Sequence, residues 1–241
     1  MNIAQKTVLI TGANRGIGRA LVDEALRRGA KKVYAGTRGT LDIVDERVMP
    51  VTLDITKDEQ IAQGVRTVGS LDVLINNSGI APYDDLSDTN VIERALAVNF
   101  FGMYKVSRAF LPLLKRAKGA LVNNLSLMAL APLPLTPSYA ISKAAALSMT
   151  QSLRALLAGQ GVTVHGVFLG PVDTDMTRGF EIPKASPQSV AQGIFGGLEA
   201  DEEDIFPDEM SRSIADGWRN GVAKAFERRY AGFVPESAAV L

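Results

Sequence analysis

Short runs of β-branched and aliphatic residues alternate along the chain with longer segments whose apolar residues recur at helical spacing. The runs fall at 6–11, 32–35, 48–53, 72–76, 120–125 and 162–168, and most are apolar throughout instead of alternating with polar residues. Continuous apolarity predicts strands covered on both faces, the condition of a parallel sheet between helical layers. Helices are predicted near 16–29, 57–68, 89–116, 138–158 and 187–199. The second opens on Thr56-Lys57-Asp58-Glu59, a capping-box spacing. The fifth opens on Ser186-Pro187, an N-cap before a first-turn proline. Alternating strands and helices imply right-handed crossovers and a doubly wound parallel sheet, an α/β architecture. The charged stretch 199–204 reads as a solvated turn before a short strand in "DIFP". Residues 208–232 read as one or two further helices, packing on the domain or on a partner subunit. No repeat or linker divides the chain, so one domain is expected over 1–241, with 200–241 as a C-terminal helical extension.

Composition narrows the function. A chain of 241 residues can bury one sizeable core. Basic and acidic residues number 26 each, so bulk charge points neither to nucleic acid nor to an anionic membrane. The absence of cysteine removes disulfides, thiolate nucleophiles and cysteine metal sites together. His165, the single histidine, lies inside the apolar run 162–168, where a satisfied strand residue is expected instead of a ligand, and no metal site is anticipated. No run of about 18 apolar residues exists; the longest candidate, near 120–135, is broken by Asn123, Asn124, Pro132 and Pro134. The strand-like "KTVLIT" follows so soon after Met1 that no secretory signal is expected, which predicts a cytoplasmic protein.

Two stretches carry candidate chemistry. "TGANRGIG", with Gly12, Gly16 and Gly18, joins the first strand to the first helix. A dinucleotide pyrophosphate needs such a tight turn, a backbone without Cβ atoms in the way, and a helix N-terminus aimed at it. Further on, "SYAISKAAAL" sets Tyr139 and Lys143 four apart, on one face of a helix. In a chain with five tyrosines the pair can be an accident. It can also be chemical, since a cation about 4 Å from a phenol attracts the phenolate by roughly 4 kcal/mol at an effective dielectric near 20. At about 1.4 kcal/mol per pKa unit, that moves a phenol toward neutrality.

The spacing of the glycine turn resembles the T-G-x-x-x-G-x-G of short-chain dehydrogenases/reductases, and the likeness continues to about residue 206. After the fourth strand stands "NNSG", residues 76–79, where the family has N-N-A-G. Asn99 follows in "AVNFFG", Ser126 stands thirteen before Tyr139, and Tyr139 and Lys143 supply Y-x-x-x-K. "LGPVDT" matches P-G-x-V-x-T with Leu169 in place of proline, a change expected to affect loop stiffness more than chemistry. Five ordered motifs at the expected junctions imply a single-domain Rossmann fold and a carbonyl–alcohol oxidoreductase.

The resemblance implies roles. Tyr139 is the general acid or base, Ser126 holds the substrate oxygen, and Lys143 holds ribose hydroxyls while depressing the phenol's pKa. Asn99 holds a water that links Lys143 to solvent. The cofactor is expected against Gly12, Asn14, Arg15, Gly16, Ile17, Gly18, Thr37, Arg38, Asp54, Ile55, Asn77, Gly79, Tyr139, Lys143, Val172 and Thr174. Asp54 stands equally as an adenine contact or an ordinary strand-end carboxylate. The stretch 39–47 is shorter than is usual in the family, which predicts a more open adenine side. Family members that select NAD usually end the second strand with an acidic residue; here Thr37 and Arg38 stand there, and Arg15 adds a second cation. NADP(H) is therefore expected over NAD(H), the lesser alternative being that one or both arginines merely lie in solvent.

Leu127, Met128, Ala129, Leu133, Pro134, Tyr83, Pro171 and Met176 are the candidate substrate wall, mainly apolar. They suggest a small or medium apolar carbonyl or alcohol. Two other readings are a nucleotide-sensing regulatory protein without turnover, and an isomerase or dehydratase of nucleotide sugars. Regulatory relatives usually lose the Tyr or Lys retained here, and the sugar enzymes usually carry a longer C-terminal region. Phe100, Phe101, Tyr104, Phe110, Leu147, Met149 and Leu153 give the helices 89–116 and 138–158 more apolar surface than one sheet face needs. The family buries such helices between subunits, so a homodimer or homotetramer is expected.

Overall fold

Seven parallel strands form the sheet, in the order β3-β2-β1-β4-β5-β6-β7. They are β1 (Thr7–Thr11), β2 (Lys32–Thr37), β3 (Val48–Thr52), β4 (Val73–Asn76), β5 (Ala120–Asn124), β6 (Thr163–Val167) and the short β7 (Asp204–Ile205). The computed structural model describes residues 1–234. Strand order reverses between β1 and β4, opening the crevice where α/β sheets bind ligands beyond their carboxyl ends. Pro50 sits in β3, an edge strand, where a missing N–H costs least.

Helices cover both faces. Val8 and Ile10 of β1 join Leu21 of α1 (Gly16–Arg27) and Ile194 and Phe195 of α6 (Pro187–Glu199) in one apolar layer. Leu9, one residue along, points the other way. It joins Ile61 of α2 (Asp58–Val68), Phe110 and Leu114 of α4 (Met103–Ala117), and Leu153 of α5 (Pro137–Leu157). Each fully buried Leu or Phe contributes about 1.5–3 kcal/mol. Apolar demand on both faces is why the strands read as unbroken apolar runs.

The predicted helix 89–116 is three segments: α3 (Thr89–Leu96), a π-helical turn (Ala97–Gly102) and α4. The turn carries Asn99, buried, and Gly102, where a Cβ would lie 2.7 Å from Ile55 Cδ1. The capping box predicted at Thr56 is absent. α2 starts at Asp58 without a side-chain cap, because the Thr56 hydroxyl donates to Asp54 Oδ1 at 2.7 Å instead. Ser186 does cap α6, accepting from the Ser189 N–H at 3.1 Å. His165 is the satisfied strand residue expected: its ring nitrogens bond the Glu202 carbonyl and the Thr163 hydroxyl, and burial lowers its pKa.

Beyond β7 the chain forms α7 (Glu209–Arg219) and α8 (Val222–Tyr230); the expected extension beyond residue 234 lies outside the described residues. α8 docks through the buried Lys224, whose ammonium meets Asp204 at 2.8 Å, Glu203 at 2.9 Å and Glu227 at 3.1 Å. The surface argument for subunit contact needs correction. Phe110, Leu147 and Leu153 are buried within this one chain, while Phe101 remains half-exposed. Among the described residues no helix is long and apolar enough to cross a membrane, and no His, Cys, Asp or Glu cluster could hold a metal.

Candidate active site

At the carboxyl end of β1 the chain turns through Gly12 and Gly16, with φ of +68° and +53°, conformations that favour glycine. Gly18 is constrained by space: a Cβ there would lie 1.9 Å from the Gly12 carbonyl oxygen and 2.7 Å from Asn77 Nδ2. The turn thus presses against the start of α1. Arg15, the N-cap residue, makes no side-chain cap bond, so the first-turn N–H groups and the helix dipole are left for an anion.

Asparagines at the ends of β4 and β5 tie this turn to the rest of the site. The register pairs Asn76 with Asn123, and Asn76 Nδ2 donates to Asn123 Oδ1 at 2.9 Å. Asn77 Nδ2 donates to the Thr11 carbonyl at 2.9 Å, and Asn77 Oδ1 accepts from Asn124 Nδ2 at 2.9 Å. The Asn124 carbonyl in turn accepts from Lys143 Nζ at 2.7 Å. Hydrogen bonds therefore run from the glycine turn to the lysine. Asn124 Oδ1 is buried and has no partner among the described residues.

Ser126, Tyr139 and Lys143 are all buried at this end of the sheet. Tyr139 and Lys143 stack along one face of α5, the ammonium 5.7 Å from the phenol ring centre. Asp84 fixes the start of α5, accepting a hydrogen bond from the Ser138 hydroxyl beside Tyr139. Ser126 Oγ accepts from the Met128 N–H at 3.1 Å. The expected depression of the phenol's pKa is reversed by burial. Burial raises Tyr139, outweighing a hydrogen bond from Ser126 that acts in the other direction. Burial also lowers Lys143 to about 8. The ammonium is engaged by a main-chain carbonyl, and the same desolvation opposes charge on both groups.

Asn99 braces this cluster. Its side chain donates to the Ile80 carbonyl at 2.8 Å and to Ser142 Oγ at 2.9 Å, and accepts from the Ile80 N–H at 2.9 Å. Both of its amide protons are thus committed within the protein. At Gly79 a Cβ would stand 3.2 Å from Asn99 Oδ1 and 3.9 Å from Lys143 Nζ, so the bare backbone keeps the approach to the lysine open.

Val172 is buried, and Thr174 lies against the glycine turn, its Cγ2 being 3.2 Å from where a Gly16 Cβ would stand. Ile17 packs partly on the core. Asn14 Nδ2 is 3.6 Å from a Cβ built on Gly39, so the turn after β2 approaches the glycine turn. Thr37 is buried, its hydroxyl accepting from the Gly39 N–H at 3.1 Å. Ile55 is buried, its Cδ1 2.7 Å from where a Gly102 Cβ would stand. Asp54 serves its own turn, accepting from Thr56 N–H and hydroxyl, and these bonds hold its carboxyl below the usual range.

The two arginines expected around one phosphate have different partners: Arg38 faces Asp54 at 4.0 Å, and Arg15 pairs with Asp175 at 3.0 Å. Of the expected substrate wall, Leu127 and Ala129 pack partly on the core, whereas Tyr83 and Met176 are exposed. Tyr83 stacks on Phe180 across two loops, ring centres 5.7 Å apart. Sequence reasoning missed Asn124, Ser142, Asp84, Asp175 and Phe180. The doublets 76–77 and 123–124, ending neighbouring strands, were the available sign of the asparagine chain.

A glycine turn with no room for a Cβ at Gly18, an uncapped helix N-terminus and a buried Ser-Tyr-Lys cluster thus meet at the carboxyl end of a doubly wound sheet. The chain belongs to the short-chain dehydrogenase family, whose model matches residues 6–184. It is 34% identical over 197 residues to estradiol 17-beta-dehydrogenase 2 of Mus musculus, covering 75% of this chain and 51% of that protein. It is 37% identical over 183 residues to NADPH-dependent 1-acyldihydroxyacetone phosphate reductase of Schizosaccharomyces pombe, covering 71% of this chain and 61% of that one. The chain thus spans about half the length of some curated relatives it matches. A crystal structure of a short chain dehydrogenase from Burkholderia cenocepacia in complex with NADP superposes with a TM-score of 0.87. That protein shares 37% identity, and the match covers 98% of this chain and 100% of the other.

Proposed function

We propose that this protein is an NADP(H)-dependent oxidoreductase that interconverts an apolar ketone or aldehyde with its alcohol, with Tyr139 as general acid and base. The observation that carries the reading is the convergence of Ser126, Tyr139 and Lys143 on the sheet end that also holds the glycine cradle. The fit to a nicotinamide dinucleotide rests on the Gly12–Gly18 turn, the free first-turn N–H groups of α1 and the open backbone at Gly79. When bound, that group supplies the hydride.

The chain's own residues handle binding and the proton. Ser126 and Tyr139 hydrogen-bond the substrate oxygen, and Tyr139 donates its phenolic proton in reduction and accepts one in oxidation. Burial keeps the phenol protonated, which suits the acid role. Lys143 reaches the ribose hydroxyls and adds positive charge near the developing phenolate. The exposed Tyr83, stacked on the half-buried Phe180, favours a substrate with apolar or aromatic bulk. A two-fold homodimer or homotetramer is proposed on the half-exposed Phe101 beside Phe100.

Thr37 and Arg38 at the end of β2, with Arg15 across the turn, support selection of the 2′-phosphate. A charge-assisted contact contributes about 1.5–3 kcal/mol, and tenfold in affinity is about 1.4 kcal/mol. NADPH should therefore bind at least about tenfold tighter than NADH. Arg38→Ala should weaken NADPH far more than NADH, and Thr37→Asp should invert the preference by repulsion. Calorimetric dissociation constants for both cofactors decide it, and equal values in the wild type would overturn the NADP(H) assignment.

A further inference from the structure

The loop between β6 and α6 crosses to the glycine turn from a fixed base. Val172 bridges Ala185, the Asp173 N–H donates to the Ala185 carbonyl at 2.9 Å, and the Ala185 N–H donates to the Pro171 carbonyl at 2.9 Å. From that base Thr174 abuts Gly16, and Asp175 reaches Arg15, Oδ2 to Nη1 at 3.0 Å. The other oxygen of Asp175 accepts from Arg178. One carboxylate thus holds two guanidiniums, one on the phosphate turn and one on its own loop. The Arg15 side chain is 72% exposed, so it is free to swing to another anion at the same turn.

We propose that Asp175 is a specificity-determining residue: it competes with the cofactor's 2′-phosphate for Arg15 and so limits the preference for NADP(H) over NAD(H). This rests on the cofactor reading above. Binding exchanges one anion for another: Arg15 leaves the carboxylate for the phosphate, and Arg178 remains as the counter-ion that keeps Asp175 paired. The exchange weakens binding of the phosphorylated cofactor alone, because NAD(H) makes no demand on Arg15. The pair is exposed, which sets the competition at a few-fold and not at orders of magnitude.

Adenosine 2′,5′-bisphosphate and adenosine 5′-monophosphate isolate the effect, since neither carries a nicotinamide to engage the loop. Their dissociation constants are measured calorimetrically on the full chain, together with those of NADPH and NADH. Asp175→Asn should raise the preference for the bisphosphate over the monophosphate by about two- to five-fold. Any general relief of repulsion at the 5′-phosphate cancels in that ratio. In an Arg15→Ala background the same substitution should leave the ratio unchanged. A ratio unaffected by Asp175→Asn, or raised equally without Arg15, overturns the proposal alone. Equal wild-type affinities for NADPH and NADH overturn the cofactor reading and this proposal with it.

Discussion

Replacing Gly18 with alanine adds one methyl group at the tightest point of the cradle. The new carbon would stand 1.9 Å from the Gly12 carbonyl oxygen and 2.7 Å from Asn77 Nδ2, both on rigid parts of the turn and its support. Non-bonded carbon contacts relax only beyond about 3.5 Å, so turn and helix must separate by more than about 1 Å. Overpacking of this kind costs up to about 3 kcal/mol, and alanine's better helix propensity offsets about 1 of it. The net loss, about 2 kcal/mol, corresponds to a melting temperature about 4–8 °C lower for a chain of this size. The displaced N–H groups should also raise the NADPH dissociation constant at least about tenfold. Gly196→Ala is the control: it lies in α6, and a Cβ there meets nothing within 4 Å. That variant should be more stable by about 0.5–1 kcal/mol. Differential scanning fluorimetry and cofactor titration on both variants separate steric from entropic effects. A Gly18→Ala protein as stable as Gly196→Ala, binding NADPH like wild type, refutes the close-packed cradle.

Lys224→Met removes the ammonium that docks α8, while Asp204 keeps Arg154 and Trp218 as partners. The loss should sit at the lower end for a broken buried pair, about 3 kcal/mol, or about 6–12 °C in melting temperature. A shift under about 2 °C would show that the network contributes little. Lys143 supplies a pH signature: burial holds it at about 8, below its ordinary 10.5. Between those values the unfolded chain binds more protons, so Lys143 makes stability rise as pH climbs from about 8 toward 10.5. Melting curves of the cofactor-free protein at pH 7.5 and 9.5 should show this contribution in wild type and lose it in Lys143→Met; parallel behaviour would contradict it.

The sheet was legible because the central strands are buried on both faces, so Val8, Leu9 and Ile10 announce a strand without needing an alternating pattern. The glycine turn was legible because its spacing is dictated by one tight turn and one helix start. What escaped depends on contacts distant in sequence. The π-helical turn at Asn99 forms where Gly102 meets Ile55, and propensity along 89–116 carries no trace of that contact. Thr56 has the right spacing for a cap but a nearer acceptor in Asp54. Phe110, Leu147 and Leu153 seemed surplus to one sheet face because the number of layers packed on them cannot be counted from a helix pattern. The Tyr139–Lys143 pair was found from spacing. Its electrostatics were not, because desolvation of both groups is a property of the folded site.

The central claim is that Tyr139 moves the proton. A panel of apolar ketones and aldehydes with NADPH, followed at the nicotinamide absorbance band, identifies a substrate. Turnover of Tyr139→Phe is then compared with wild type on that substrate. Phenylalanine keeps the ring packing and removes the hydroxyl, so turnover should fall by a factor of at least about 10² while NADPH affinity stays within a few-fold of wild type. Wild-type turnover in the Phe variant would contradict the assignment outright.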